Sequence, residues 1–171
     1  MKLIAKTLLA ASILLAFALN ANAQTNTVSA EAAATIISPI TISVDNNMNF
    51  GYVVATPAGG TVLLEPDGTI TPTGVSLASG ITTSPAIFTV TGEPSFTYSI
   101  TLTNASIVLT ESISSSTMTV DTFTRDPIGD GTLDGTGNQT LRVGGTLNVG
   151  ASQTAGLYEN TTDLEVTVNY N

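Results

Sequence analysis

Three aspartates spaced four residues apart, Asp126, Asp130 and Asp134, sit in a glycine-rich stretch and form the clearest set of potential metal ligands in the chain. Carboxylate oxygens suit a hard cation such as calcium, but a calcium loop of the D-x-D-x-D-G kind brings ligands two residues apart onto one ion. A spacing of four does not reproduce that. Aspartates beside glycine are also ordinary turn formers, because the carboxylate accepts from the backbone two residues on. The three are therefore expected to shape a solvated loop, and no metal is expected. Gly129, Gly131, Gly135 and Gly137 resemble a phosphate-binding loop in composition alone, since no lysine and no strand-to-helix junction accompanies them. Nucleophilic catalysis needs a base beside Ser, Thr or Cys, and beyond residue 23 the chain has no His, Lys or Cys. A carboxylate pair of the glycosidase type is the one conventional option left. With no Trp, four Tyr and five Phe, there is little to build a sugar-stacking platform. The expectation is a protein that is not an enzyme and carries no cofactor.

Compartment and charge narrow the class further. Lys2 and Lys6, an apolar run from Leu8 to Leu19, and Ala21-Asn22-Ala23 have the layout of a cleaved secretory signal over residues 1–23. The run is too short for a comfortable membrane span, so no stable membrane insertion is expected after cleavage. The protein is expected to be exported through the periplasm to the cell surface or beyond. There is no cysteine for a disulfide or a lipid anchor, so stability must come from packing. The 148 residues from Gln24 onward are about one domain long and can bury roughly two-thirds of their unfolded surface. Both lysines leave with the signal, so thirteen carboxylates face only Arg125 and Arg142, a net charge of −11. Such a field repels nucleic acid and anionic lipid alike.

Short alternating runs recur between turn signals, and helical periodicity is absent after the signal, which predicts an all-β sandwich or barrel. Thr61–Glu65 and Thr69–Thr71 flank Pro66-Asp67-Gly68, a hairpin turn. Phe88 and Val90, a turn at Gly92-Glu93-Pro94, then Phe96, Tyr98, Ile100 and Leu102 read as the central core hairpin. Ile107–Ile113 and Met118–Phe123 supply two more strands. Leu141, Val143, Leu147 and Val149 share one register across Gly144-Gly145, which predicts one long strand with a glycine bulge or kink in its middle. Leu164, Val166, Val168 and Tyr170 make a last strand, and Arg125–Gln139, with no apolar period, is expected to be a surface loop.

The longest alternation lies just behind the signal. Val28, Ala30, Ala32, Ala34, Ile36, Ile40, Ile42 and Val44 all fall on even positions, so one face of this segment is apolar and needs a sheet or groove to cover it. Ser38-Pro39 divides it, because proline removes a ladder donor and restrains the residue before it. Ile40–Val44 is assigned to the domain's own core. Residues 24–38 are an extension, and residues 39–171 the sandwich domain. Val28, Ala30, Ala32, Ala34 and Ile36 are the donor row if the extension covers a neighbour's groove.

Asn49-Phe50-Gly51-x-Val53, Phe88-Thr-Val-Thr-Gly92-x-Pro94 with Tyr98-Ser-Ile-Thr-Leu102, Met118-Thr-Val-Asp-x-Phe123, and Thr140-Leu-x-Val-Gly144 through Gly156-x-Tyr158 together carry a resemblance. They look like a family of small secreted bacterial domains of unknown function and, more distantly, resemble spore coat protein U and subunits of archaic chaperone-usher pili. The resemblance covers most of residues 40–171. It implies an immunoglobulin-like antiparallel β-sandwich that lacks a strand, filled by the extension of the next subunit after a periplasmic chaperone and an usher have handled it. Leu164, Val166, Val168 and Tyr170 would then be the C-terminal strand that the chaperone reads. The disulfide of such subunits is missing, and Tyr158 stands where their glycine near the fourteenth position from the end belongs, with Gly156 two residues earlier. Two functions remain open. One is a fimbrial or coat-like subunit that self-associates into a fibre by non-covalent strand donation. The other is a self-complete monomeric extracellular β-sandwich that acts as a surface or adhesive binding module.

Overall fold

The computed structural model describes residues 25–80 and 82–171, and the expected signal lies outside them. The chain divides into two units, residues 1–35 and 36–171. Of the first, residues 25–35 form no strand and are exposed. The second is built from thirteen strands: β1 (Thr41–Asn46), β2 (Tyr52–Val54), β3 (Gly60–Leu64), β4 (Ile70–Thr73), β5 (Ser76–Ala78), β6 (Ala86–Thr91), β7 (Thr97–Leu102), β8 (Ser106–Glu111), β9 (Thr117–Asp126), β10 (Gly131–Thr132), β11 (Asn138–Val149), β12 (Tyr158–Glu159) and β13 (Val166–Tyr170). All pairings are antiparallel, and the described residues form a β-sandwich with no helix.

β11 organises the larger sheet. Leu141, Val143, Leu147 and Val149 alternate to one face and are all buried, and twelve residues at about 3.4 Å each carry the strand across the whole domain. One edge pairs with β6 from Asn138 to Val143 and with β3 from Gly145 to Val149. The other edge pairs with β9. The sheet runs β1-β6-β11-β9-β8-β12, with the β3-β4 hairpin attached to the far half of β11. At Gly144, where β11 changes partner, a Cβ would collide with the carbonyl oxygen of Leu64, and at Gly145 it would meet the Phe123 ring. These glycines are required by close approach. The irregularity expected there is present, but the extra residue lies on the partner strand: Gly144 faces Thr124 while Thr146 faces Asp121, and Thr122 takes a φ of 50°.

The smaller sheet, β10-β7-β13, faces the near half of the larger one. Here the expected core hairpin is corrected. β6 and β7 do not pair; they belong to opposite sheets, and the chain between them is an arch across the core. Pro94 offers no backbone donor, Ser95 adopts a φ of 65°, and Gly92 bonds to Gly137 rather than across a hairpin. Phe88 and Val90 therefore meet Tyr98 and Ile100 face to face. Phe96 falls outside the strand and is exposed, with its ring edge-on to Tyr170.

Two polar ties cross this closed half. Tyr98 Oη donates to Gln139 Oε1 at 2.7 Å, and the same oxygen accepts from the Thr132 amide at 2.8 Å. A buried phenol needs such a partner, and burial pushes the Tyr98 hydroxyl pKa up. Arg125 reaches from β9 to donate to the carbonyl of Ile100 on β7 at 2.5 Å. The expected loop Arg125–Gln139 is accordingly corrected in part. β9 runs on to Asp126, β10 adds a short rung to β7, and Leu133, 1% exposed, plugs the core. A lone apolar residue in a polar run has no period to betray it. The row in β1 is also shorter than expected: Ile40 and Ile42 pack on the core, while Val44 is exposed.

Candidate functional site

The far half of the larger sheet has its own apolar cluster, Phe50, Val62, Leu64, Ile107, Val120, Leu147 and Val149. No strand of the β10-β7-β13 sheet belongs to it. Cross-strand register lines up Val62, Leu147, Val120 and Ile107 in one row. Leu109 and Met118 face each other beside it. Ile107, Leu109, Met118, Val120, Leu147 and Val149 line a groove of about 1340 Å³, walled on one side by Asn46–Ala55 and on the other by Gln153–Thr162 and Leu164. Small-molecule sites usually enclose about 300–1,000 Å³. The groove is larger than that, and its lining mixes apolar strand residues with the polar segments of its walls.

β2 and β5 form a separate two-stranded sheet, and Val53 and Leu77 from it, with Met48, Ala55 and Val75 beside them, pack on this cluster, whose own residues are buried. β13 begins two residues after Leu164 and pairs with β7 alone, so among the described residues its other edge has no ladder partner. Val166, Val168 and Tyr170 are half-buried against the closed core, and Leu164 touches both clusters.

The donor row is fully presented to solvent. Val28 and Ile36 are 96% and 97% exposed, and Ala30, Ala32 and Ala34 are exposed as well. The extension is anchored at its root. The Ser38 amide donates to the Glu93 carboxylate at 2.8 Å, and the Ser38 carbonyl accepts from the Tyr170 hydroxyl at 2.9 Å. Tyr170 Oη in turn accepts from the Glu93 amide at 2.5 Å. Three residues from distant parts of the chain thus close a ring through both backbone groups of Ser38. Gly92 leaves room for it, since a Cβ there would collide with the Tyr170 hydroxyl. Sequence reasoning marked Ser38-Pro39 as a boundary and Tyr170 as a terminal aromatic. Nothing in the sequence pointed to Glu93.

The three aspartates are placed apart in role. Asp134 Oδ1 accepts from the Asn138 amide and from both the amide and hydroxyl of Thr136, which hold its carboxyl below the usual range. Asp130 accepts from the Asn171 side chain, and Asp126 ends β9 opposite Arg142. Among the described residues no three potential ligands are gathered for a metal ion. Asp67 is likewise lowered, chiefly by the Thr69 amide in the β3-β4 turn. Glu111 is lowered by Ser114, whose hydroxyl and amide it accepts, and then by the Ile113 amide. Asp163, beside the groove wall, is lowered by the Asn160 side chain and then by Thr162. Each of these carboxylates serves its own turn.

Residues 40–170 match the family model described as Domain of unknown function (DUF4402). The chain belongs to the DUF4402 family. No curated protein and no solved structure matches it. The DUF4402 match begins one residue after Pro39, so it takes in the groove, β13 and Glu93, and leaves the exposed donor row outside.

Proposed function

We propose that the protein is a structural surface subunit that self-associates by non-covalent strand donation, with residues 28–36 of one copy laid into the open groove of the next. The observation that carries this reading is the pairing of two incomplete parts in one chain. One is a groove over the far half of the larger sheet, where exposed Tyr52, Val54 and Leu157 stand on the walls above a buried apolar floor. The other is an exposed segment with apolar residues on every second position. An added strand gains main-chain hydrogen bonds along an open edge and specificity from alternate side chains in pockets. Nine residues in extended form reach about 30 Å. Three of the five donor residues are Ala, so burial contributes little per residue and the ends, Val28 and Ile36, supply most of it. The resemblance to chaperone-usher pilins assigns the shielding of such a groove before assembly to a periplasmic chaperone and its delivery to an usher.

Comparing the mature protein with a form beginning at Ile37 tests the reading. Fibres in the electron microscope, or ladders that survive SDS, should form from the mature protein and disappear on truncation. Two well-folded monomers at all concentrations would sink it in favour of a self-complete binding module. A truncated chain that unfolds would return residues 28–36 to their own domain.

A further inference from the structure

Each wall of the groove carries a short strand that, among the described residues, is paired on one side only. β2 pairs with β5, and β12 pairs with β8. Tyr52, Val53 and Val54 of β2 all line the groove while no residue of β5 does, so the unpaired edge of β2 borders the opening. Neighbouring residues of a strand turn their N–H and C=O groups to opposite edges. Either Val53 or the pair Tyr52 and Val54 therefore points its backbone away from β5, and among the described residues these groups have no backbone partner outside the β2-β5 ladder. The side chains on this edge are unfinished as well. Tyr52 and Val54 are about half exposed and Leu157 on the opposite wall is 69% exposed, whereas Val120 and Leu147 on the floor are buried. The Tyr52 ring is seated over Gly80, where a Cβ would come within 3.2 Å of it and where a φ of 129° itself calls for glycine.

Charge narrows what can lie there. Beyond the signal the chain has thirteen carboxylates against two arginines, yet Glu159 is the one charged residue in the groove lining. Within residues 28–36 the one charge is Glu31, which stands on the odd positions, opposite to the apolar row. Copies that repel each other elsewhere thus hold two near-neutral surfaces, in keeping with the depletion of charge at interface cores.

Resting on the strand-donation reading, we propose that residues 28–36 of a second copy pair with the free edge of β2 and cover Tyr52 and Val54. β13 also has a one-sided ladder, but none of its residues lines the groove. The floor is already buried, so Ala30, Ala32 and Ala34 lie against it without needing depth. Main-chain bonds to β2 supply the affinity that such small side chains do not.

The test uses the mature protein at dilutions where it is monomeric, with a synthetic peptide of residues 25–37 as the probe. Binding is read from the rise in melting temperature, and amide hydrogen exchange is followed at Tyr52–Val54 and at Val166–Tyr170 with and without saturating peptide. At least one β2 amide should slow about tenfold, as for one additional closed hydrogen bond, while the β13 amides do not change. Tyr52→Ala trims a half-exposed side chain, so it should leave the melting temperature of the free protein unchanged within about 2 °C and weaken peptide binding about tenfold. Peptide binding that slows β13 amides instead, or slows none, overturns pairing at β2 and leaves strand donation standing. Equal peptide affinity in Tyr52→Ala and the wild type overturns the role of the Tyr52 side chain. Should that variant fail to fold, the exchange pattern of the wild type decides alone. Absence of peptide binding overturns both readings together.

Discussion

The two halves of the larger sheet share one strand, β11, yet differ in what lies opposite. From Asn138 to Val143 it runs beneath β10-β7-β13, and Leu141 and Val143 are wholly buried among Phe88, Val90, Tyr98 and Ile100. From Gly145 to Val149 it floors a groove of about 1340 Å³. The residue types do not differ, since both halves alternate Leu and Val. The apolar row sets which face turns inward, and the second layer decides whether that face is finished. Leu147 and Val149 are buried as well, so the halves differ in what stands above the floor and not in the burial of the floor itself.

The largest expected effect separates the halves directly. Leu141→Ala removes atoms from a closed, fully buried site and should cost about 3 kcal/mol, transfer and cavity terms together. Leu109→Ala trims a half-buried residue on the groove floor, where no enclosed cavity results, and should cost about 1 kcal/mol. Urea denaturation of both variants gives the two numbers. Equal costs would mean that the groove is covered in solution, and the contrast would fall.

What was legible in the sequence follows the same division. The strands of the closed half announce themselves by strict alternation, and so does the Pro66-Asp67-Gly68 hairpin, because both are local signals. The arch between β6 and β7 was read as a hairpin because alternation on either side of a turn does not tell whether the chain returns to its own sheet or crosses to the other. Strands of two or three residues, β5, β10 and β12, are too short to show a period. The groove was legible only as a question about Val28–Ile36, since it consists of a strand the second layer lacks. The ring of Ser38, Glu93 and Tyr170 joins positions 55 and 132 residues apart, a separation no local pattern spans.

Acid offers a second, smaller way to probe the contrast. Asp67, Glu111, Asp134 and Asp163 all have depressed carboxyl pKa values. A depressed pKa adds stability that is complete above the ordinary values of 3.8 and 4.5 and is lost as pH falls through the folded-state values. Asp67, Glu111 and Asp163 lie in turns of the open half, and Asp134 alone closes a turn at the other end. The denaturation midpoint should therefore fall between about pH 5 and about pH 3, and amides near Ser114 and Asp163 should exchange faster before those of Tyr98 and Ile100 do. Simultaneous loosening of both halves would show that the turns do not hold the open half separately.

Calcium gives the smallest expected effect, and its absence would sharpen the comparison most economically. If the closed half is complete within the chain, the acidic loop at its end should need no ion. Asp134 has committed its Oδ1 to three donors of its own loop, and Asp130 accepts from Asn171. Binding an ion there would have to displace those bonds before gaining any ligand, with Asp126 held at the end of β9. Millimolar calcium should leave the melting temperature unchanged within about 1 °C, whereas the peptide of residues 25–37 should raise it, because a ligand that binds only the folded state stabilises by mass action. A rise with calcium that Asp134→Ala abolishes would make the closed half, too, dependent on something outside the chain.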